Sequence, residues 1–426
     1  MSEREVLISG AGVAGPLLAT LLARQGFRPT VVERAPALRD GGYKVDVRGA
    51  ATTVLHRLGV YDEARAADTG MRRITYVTRA GKPFAALPAD LLMGRRGDDI
   101  ELMRGDLVRI LHDAAAPATE FIYDDSIAEL GPDGEVLFAS GASRRYDVIV
   151  GADGLHSNTR RLAGMDAPLR HLGAYLSICS VPNDLRLDRE EVFWAVPGLM
   201  IFLYSTGPDD PAKAGLVFAS PELPRAEVTR ESVVERFAGQ GWEVPRLLES
   251  ILAGAAGPAA TPAPALGGSD STGGVRQFDD FYVDGLSQVV LPRWSAGRVV
   301  LLGDAAYCPS PASGMGTSEA IVGAYVLASA LARHEAGGSA GGWPEAAFAE
   351  YERVMRPYAD KNLALGKKMA GQMVPGGRMS IAMRNYGMRT LRFNPWKRQI
   401  IETVTKPIHQ AAAAVELPAE PATAAI

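Results

Sequence analysis

The sequence predicts an α/β fold: a Rossmann-like domain interleaved in the chain with a mostly β domain and followed by C-terminal helices. Three observations predict it. A glycine turn, Gly10-Ala11-Gly12-Val13-Ala14-Gly15, separates a short apolar strand from a helical stretch. Two later apolar strands, near 146–150 and 298–302, run into Gly151-Ala152-Asp153-Gly154 and Gly303-Asp304. Residues 167–220 read as strand after strand, whereas the last third of the chain carries a helical pattern.

In chain order, residues 5–9 form a buried strand, Gly15 to Arg24 a helix stopped by Gly26, and Thr30-Val31-Val32-Glu33 a second strand. This is a βαβ unit. Residues 52–67 are predicted helical and 72–87 a hairpin turning at Ala80-Gly81. A helix from Gly105-Asp106 puts Leu107, Ile110 and Leu111 on one face. Residues 121–150 should hold three strands around Gly131-Pro132-Asp133-Gly134. Phe193, Trp194, Phe202, Tyr204 and Phe218 are the bulky members of 167–220, and Phe202 and Tyr204 share a face if their strand is regular. Residues 226–253 are expected as helix, and 254–275, rich in Ala, Pro, Gly, Ser and Thr, as a loop. Strands at 281–290 and 298–302 precede a helix at 316–333. Pro375-Gly376-Gly377 breaks the C-terminal helices, and an Ala/Pro-rich tail from Ala411 is expected to be disordered.

The 426 residues carry a net charge of −4 with a pI near 6.0, and no block of like charge, so no nucleic-acid partner is expected. Cys179 and Cys308 alone make neither a disulfide framework nor a metal site, which fits a reducing, cytoplasmic setting. The apolar stretch Val6–Leu22 is broken by Gly10, Gly12, Gly15 and Pro16, unlike a signal peptide. No unbroken apolar run is long enough for a membrane span, and no membrane partner is expected.

The glycine turn has a physical purpose. Gly10 permits the tight turn, Gly12 lets a pyrophosphate approach the backbone, and Gly15 lets the helix pack on the sheet. The helix N-terminus then offers free N–H groups to that pyrophosphate. Glu33 ends the second strand, where a carboxylate suits an adenosine ribose. Together these features predict dinucleotide binding and leave FAD and NAD(P) both open. The later strands each deliver an aspartate, Asp153 and Asp304, to the strand end where ligands of α/β sheets bind. Three such sites in one chain imply a large shared ligand.

Together the motifs resemble the class A flavoprotein monooxygenases of the para-hydroxybenzoate hydroxylase type, over roughly residues 5–360, nearer to the short antibiotic- and polyketide-tailoring members. The resemblance implies a GR2-type FAD-binding domain at 1–71, 97–165 and 286–335, and a substrate-binding β-sheet domain at 72–96 and 166–285. A C-terminal helical segment at 336–410 and a flexible tail at 411–426 complete it. It implies that FAD is held by Gly10, Gly12, Val13, Ala14, Gly15, Glu33, Arg34, Arg48, Arg104, Asp153, Gly303, Asp304, Pro311, Gly314, Gly316 and Thr317. Asp304 would bond the ribityl chain, Arg104 would lie along the cofactor, and residues 42–49 would pass beside the isoalloxazine ring. Tyr307 stands where many relatives have His, Thr317-Ser318 where an apolar residue and Asn are common, and Gly323 where Asp is frequent.

The implied activity is NADPH- or NADH-dependent transfer of one oxygen atom from O2, through a flavin C4a-hydroperoxide, to an aromatic or polycyclic substrate. Phe193, Phe202, Tyr204 and Phe218 are candidates for the apolar pocket that this chemistry requires. His171, Tyr175 and Tyr43 are all conceivable bases, and the sequence selects none. His156 should support the second motif. Lys44 and Arg48 suit either the cofactor, an acidic substrate or a solvated surface. A flavin-dependent halogenase is the alternative within the fold, although only Phe193-Trp194-Ala195-Val196-Pro197 faintly resembles the Gly-Trp-x-Trp-x-Ile-Pro segment of that group. A non-catalytic flavoprotein that binds a hydrophobic small molecule is the third reading.

Overall fold

The computed structural model describes residues 4–38, 42–254, 280–337, 342–391 and 393–419. Its first sheet holds β1 (Glu5–Ser9), β2 (Arg28–Glu33), β7 (Glu120–Tyr123), β11 (Val148–Gly151), β17 (Ser295–Ala296) and β18 (Val299–Leu301). Their order across the sheet is β17-β18-β11-β1-β2-β7. All neighbours are parallel except the edge pair β17–β18. The parallel strands read as unbroken apolar runs because both faces are covered: Val6, Leu7, Ile8, Val148, Val150 and Val300 are fully buried. The helices α1 (Ala14–Ala23), α5 (Arg104–Ala115) and α10 (Gly316–Ala336) pack around it, with α1 lying against both others.

Three smaller strands, β8 (Ile127–Leu130), β9 (Glu135–Phe138) and β10 (Ser143–Arg145), form an antiparallel meander. Residues 120–151 thus contain five strands rather than the three expected; one of the two additional strands, the short polar 143–145, carries no apolar signal. A ribbon of β3 (Lys44–Val47) and β6 (Ile100–Met103) stands between the first sheet and the second.

The second sheet holds β4 (Arg73–Val77), β5 (Pro83–Pro88), β12 (Arg170–Val181), β13 (Glu190–Val196), β14 (Leu199–Ser205), β15 (Ala212–Ala219) and β16 (Tyr282–Gln288). Their order is β16-β12-β15-β14-β13-β4-β5. One face is covered by α7 (Arg230–Phe237) and α8 (Val244–Ala253) over a core that includes Trp194, Leu216 and Phe218. The other face looks back at the first domain, with Tyr43, Ala312 and Met373 packed against it.

Helices α2 (Ala50–Leu58), α3 (Tyr61–Ala66), α4 (Ala89–Met93), α6 (Asn158–Leu162) and α9 (Asp304–Tyr307) are short connectors. The helix expected over 52–67 is two, broken where Gly59 takes φ +81°. The one expected over 226–253 is also two, separated by a segment with Gly239 and Gly241. The long α11 (Trp343–Met373) is followed by α12 (Arg378–Leu391) and α13 (Lys397–Ala412).

The tail departs from expectation. Ala411 and Ala412 are buried, and a Cβ on Gly49 would stand 2.7 Å from the Ala412 carbonyl oxygen. Arg57 and Tyr325 both donate to the Pro418 carbonyl, at 2.9 and 3.3 Å. Residues 411–419 are therefore docked rather than loose; 420–426, and 255–275 of the expected loop, lie outside the described residues. Among the described residues no helix is long and apolar enough to cross a membrane, and no acidic, His or Cys cluster could hold a metal ion.

Candidate functional site

The three motifs meet because their strands are neighbours. In register, Ser9 lies beside Gly151, and Gly151 beside Leu301. Hence Gly10, Ala152-Asp153 and Gly303-Asp304 all leave the same C-terminal edge of one parallel sheet, where an α/β fold binds ligands. Packing there is too close for side chains. Gly10 has φ +111°, and a Cβ on it would lie 2.6 Å from the Ala152 oxygen; one on Gly15 would be driven into the Gly10 carbonyl.

An open cleft of about 200 Å³ starts at this edge. Gly10, Gly12, Glu33, Arg34, Arg104 and Asp153 line it together, joined by Asp125, Ser126 and His156. Val13, Ala14 and Gly15 form the buried beginning of α1 behind it. Glu33 accepts from the Ala11 and Ala35 N–H groups at 3.0 and 2.9 Å, which fixes the turn and holds its carboxylate at the rim.

Arg104 carries the site onward. It reaches to within 3.6 Å of where a Gly12 Cβ would stand, its stem covers Gly42, and its N–H donates to the Tyr43 carbonyl at 3.0 Å. Tyr43 and Arg104 in turn lie within electrostatic range of Asp304. Asp304 is exposed but crowded by protein, and that desolvation raises its carboxyl above the usual range despite Cys308 and Arg104 nearby. Gly303 takes φ +64° close to Ala14 and Ala320, and Gly316 stands 3.5 Å from the Asp304 carboxylate when given a Cβ. Pro311 and Gly314 are exposed, and Thr317 half-buried, where the chain turns into α10. With φ +65° and open space around it, Gly314 lets a ligand approach the backbone there.

An extended dinucleotide fits these residues. The glycine cradle and α1 N-terminus suit a pyrophosphate, Glu33 suits a ribose, and the Asp304–Gly316 corner with the start of α10 suits the polar edge of a flavin.

Two of the expected cofactor residues have their side chains engaged by the protein's own groups. Asp153 does not offer a free carboxylate: one oxygen accepts from Ser157 Oγ, and the other from the Thr159 N–H and Oγ1, both at 2.9 Å. It braces the Ser157 cap and first turn of α6, and the same motif's Arg160 donates to the Ala305 carbonyl at 3.1 Å, tying the second motif to the third. Arg48 is buried against Asp46 at 3.0 Å and donates to the Met93 carbonyl, rather than lying on a solvated surface. His156 sits 2.6 Å from Asp284, linking the second motif to β16.

Lys44 is half-buried, with its side chain 10% exposed. Its Nζ lies 2.9 Å from Glu191 and 3.3 Å from Glu101, while Arg95 bridges Asp46 and Glu101. Burial acts against the Lys44 charge, but the two glutamates outweigh it and hold its pKa above the usual value. Burial pushes the Glu191 carboxyl upward, against Lys44. Partners as far apart in the chain as 44 and 191 leave no local sequence signal.

The sheet face opposite Tyr43 is aromatic. Tyr76 pairs with Phe193, and Phe193 with Phe202, across neighbouring strands; ring centroids are 5.4 and 6.1 Å apart. Phe202 and Tyr204 share this face, as expected, and the Tyr204 hydroxyl accepts from the Lys44 N–H at 2.9 Å. Phe202 lies over Gly215, its register partner; a Cβ there would strike the ring. Phe218 is on the other face. It pairs with Leu199, which is out of phase with Phe202, and it stacks on Tyr175 under α7. Trp194 is also on that far face, donating to the Arg79 carbonyl.

The same geometry sorts the possible bases. The Tyr175 hydroxyl accepts from the Leu223 N–H at 2.7 Å on the far face, and His171 is bonded to the Ser220 carbonyl. Tyr43 alone of the three packs on the aromatic face, its hydroxyl pKa raised by burial. No motif marks Arg384 on α12, and sequence reasoning misses it. Its Nε is buried without a partner, its pKa is lowered by desolvation, and Tyr76 is its titratable neighbour.

Behind Asp304 lies a buried polar group. Glu319 is 1% exposed with neither oxygen bonded, and Tyr358 Oη and Asn362 Oδ1 are unpaired beside it. Burial, reinforced by Asp304, drives the Glu319 carboxyl well above the usual range and favours its protonated form. Tyr307 bonds Tyr351 at 3.0 Å, and its hydroxyl fills the space that any side chain at Gly323 would need. The two departures are thus one packing solution. Ser318 accepts from the Arg48 N–H at 3.0 Å, fastening α10 to the end of β3.

A family model described as FAD binding domain matches residues 3–189 and 269–364. A flavin-dependent monooxygenase from an unknown prokaryotic organism is 36% identical over 372 residues, covering 85% of this chain and 88% of its own. The crystal structure of tetracycline destructase Tet(55) is 31% identical with a TM-score of 0.78, covering 98% of this chain and 99% of its own. That of tetracycline destructase Tet(51) is 30% identical with a TM-score of 0.79, covering 98% and 100%.

Proposed function

Given that the chain belongs to the FAD-binding flavoprotein monooxygenases, we propose that it uses NAD(P)H and O2 to place one oxygen atom on a polycyclic, phenolic or enolic substrate. The observation that carries this reading is the placement of the Gly10, Asp153 and Asp304 motifs on adjacent strand ends, facing an aromatic sheet across Tyr43. Bound FAD supplies the redox chemistry, accepting two electrons from NAD(P)H and activating O2.

The chain's own residues would do the rest. Gly10, Gly12 and Gly15 would admit the pyrophosphate, with Glu33 on the ribose and Asp304 on the ribityl chain. Arg104 would lie along the cofactor. The first turn of α10 would direct its N–H groups and positive end toward charge that develops on the reduced ring. Tyr76, Phe193, Phe202 and Tyr204 would wall a dry substrate chamber. Tyr43 would contact the substrate, and Arg384 would meet an ionised phenolic or enolic oxygen. The two tetracycline destructases act, by name, on a polycyclic molecule, which supports this substrate class. A halogenase is disfavoured because Trp194, the tryptophan of the superficially similar segment, is sealed on the far face.

The test is an absorption spectrum of the purified protein, followed by NAD(P)H oxidation with tetracycline and a panel of polycyclic phenols under 18O2. A flavin spectrum with substrate-stimulated oxidation and one labelled oxygen in product is expected. Flavin reduction without labelled product across the panel would overturn the reading.

A further inference from the structure

From residue 361 to 401 the chain has nine Lys or Arg and no Asp or Glu. The net charge of −4 therefore resolves into +9 on this segment and −13 elsewhere. The cations are spaced along the chain rather than in a block, so charge runs do not reveal them. Arg378, Arg389 and Arg398 are exposed, and no ion pair joins them among the described residues.

The same segment exposes large apolar side chains. On α12, Met379, Met383 and Tyr386 are 79, 70 and 72% exposed, and their spacing of four and three puts them on one helical stripe. Half-buried Ile381 and Met388 take the opposite side, where α12 packs on β5 and β13. The stripe resumes with Trp396, Ile400 and Val404 at the start of α13, whose Ile401 and Thr405 are buried inward. An outward apolar stripe with aromatic and Met members, flanked by unpaired cations, is the reverse of an ordinary solvated helix.

We propose that the outer face of α12 and the first half of α13 lies on an anionic lipid surface. The apolar stripe would enter the headgroup boundary, and the arginines would meet lipid phosphates. A second copy of this chain is a poor occupant: a two-fold contact would set the segment's positive charge against itself. An acidic protein would answer the charge, but would leave an interfacial Trp/Tyr/Met stripe without its natural medium. The absence of a spanning run is no obstacle, since a helix lying in the interface needs none. If the proposed function holds, α12 packs on β5 and β13 at the end of the sheet that carries Tyr76 and Phe193, giving membrane-dissolved substrate a short path inward.

The test is flotation of the FAD-loaded, full-length protein with vesicles of phosphatidylcholine alone or mixed roughly equally with phosphatidylglycerol. Partitioning should rise about tenfold or more with the anionic lipid. Met383→Ser/Trp396→Ser should lose it, as should Arg378→Gln/Arg389→Gln/Arg398→Gln. Both should retain flavin content and melting temperature, since these side chains are exposed. Three results would overturn the proposal. One is no flotation with anionic vesicles. Another is unchanged flotation of the serine variant. The third is self-association, or polyglutamate binding that displaces vesicles, abolished by the same serine substitutions.

Discussion

The Lys44 ammonium lies 2.9 Å from the Glu191 carboxylate, and this buried pair joins the β3–β6 ribbon beside the cofactor cleft to the sheet that faces it. Removing one partner strands the other charge in a poorly solvated site. Lys44→Met should therefore lower unfolding free energy by about 3–5 kcal/mol. Lys44→Met/Glu191→Leu should recover part of that loss. Urea denaturation of the three proteins checks this.

Gly15→Ala should cost the protein its flavin. The added methyl meets the Gly10 carbonyl, so α1 must move off the sheet and take its N–H groups with it. Gly154→Ala is the milder control, having a strained φ of +82° but open space around it. Flavin retained per protein after dialysis, read by absorbance, should fall at least about tenfold for Gly15→Ala and much less for Gly154→Ala.

Gly215→Ala should alter substrate use and leave cofactor retention intact. Its methyl displaces the Phe202 ring, which lies across the chamber and not in the glycine cradle. A rise in KM of about tenfold, with unchanged flavin content, is expected. Steady-state kinetics on any turned-over phenol will show it.

Stability should decline with alkalinity through Glu319. Its carboxyl is raised in the folded protein, so the folded chain holds a proton that the unfolded chain releases above its ordinary value near 4.5. The contribution is complete below that value and is lost as pH rises toward the folded one, at most about 1.4 kcal/mol per pH unit. Glu319→Gln keeps the shape and removes the proton. Its melting temperature relative to the parent should climb as pH rises above about 4.5.

The parts of the site legible in the sequence are those in which neighbouring residues suffice. The 10–15 turn states its own geometry, and the strand ends at 151 and 303 announce a ligand edge. Asp153 is ambiguous in sequence because a carboxylate after a strand serves equally well to cap the helix that follows. Only the structure shows Ser157 and Thr159 taking both oxygens. The face of Phe218 depends on pairing with Leu199 in another strand, which period-two counting within β15 does not contain. Lys44 and Arg48 do not lie on the solvated surface that is one of their expected surroundings, since residues 46, 101 and 191 pair with them. The composition of the tail suggests a loose end, yet Pro418 supplies a carbonyl that Arg57 and Tyr325 need.

Because the Tyr307 hydroxyl occupies the volume of a side chain at 323, the two positions have an obligatory order of change. The large ring at 307 can enter only where 323 is glycine, and a side chain can enter at 323 only once the ring at 307 has been replaced by something smaller. A Gly323→Asp substitution made alone would wedge the helix away from Tyr307, whereas the same change made after Tyr307→His would not meet that hydroxyl.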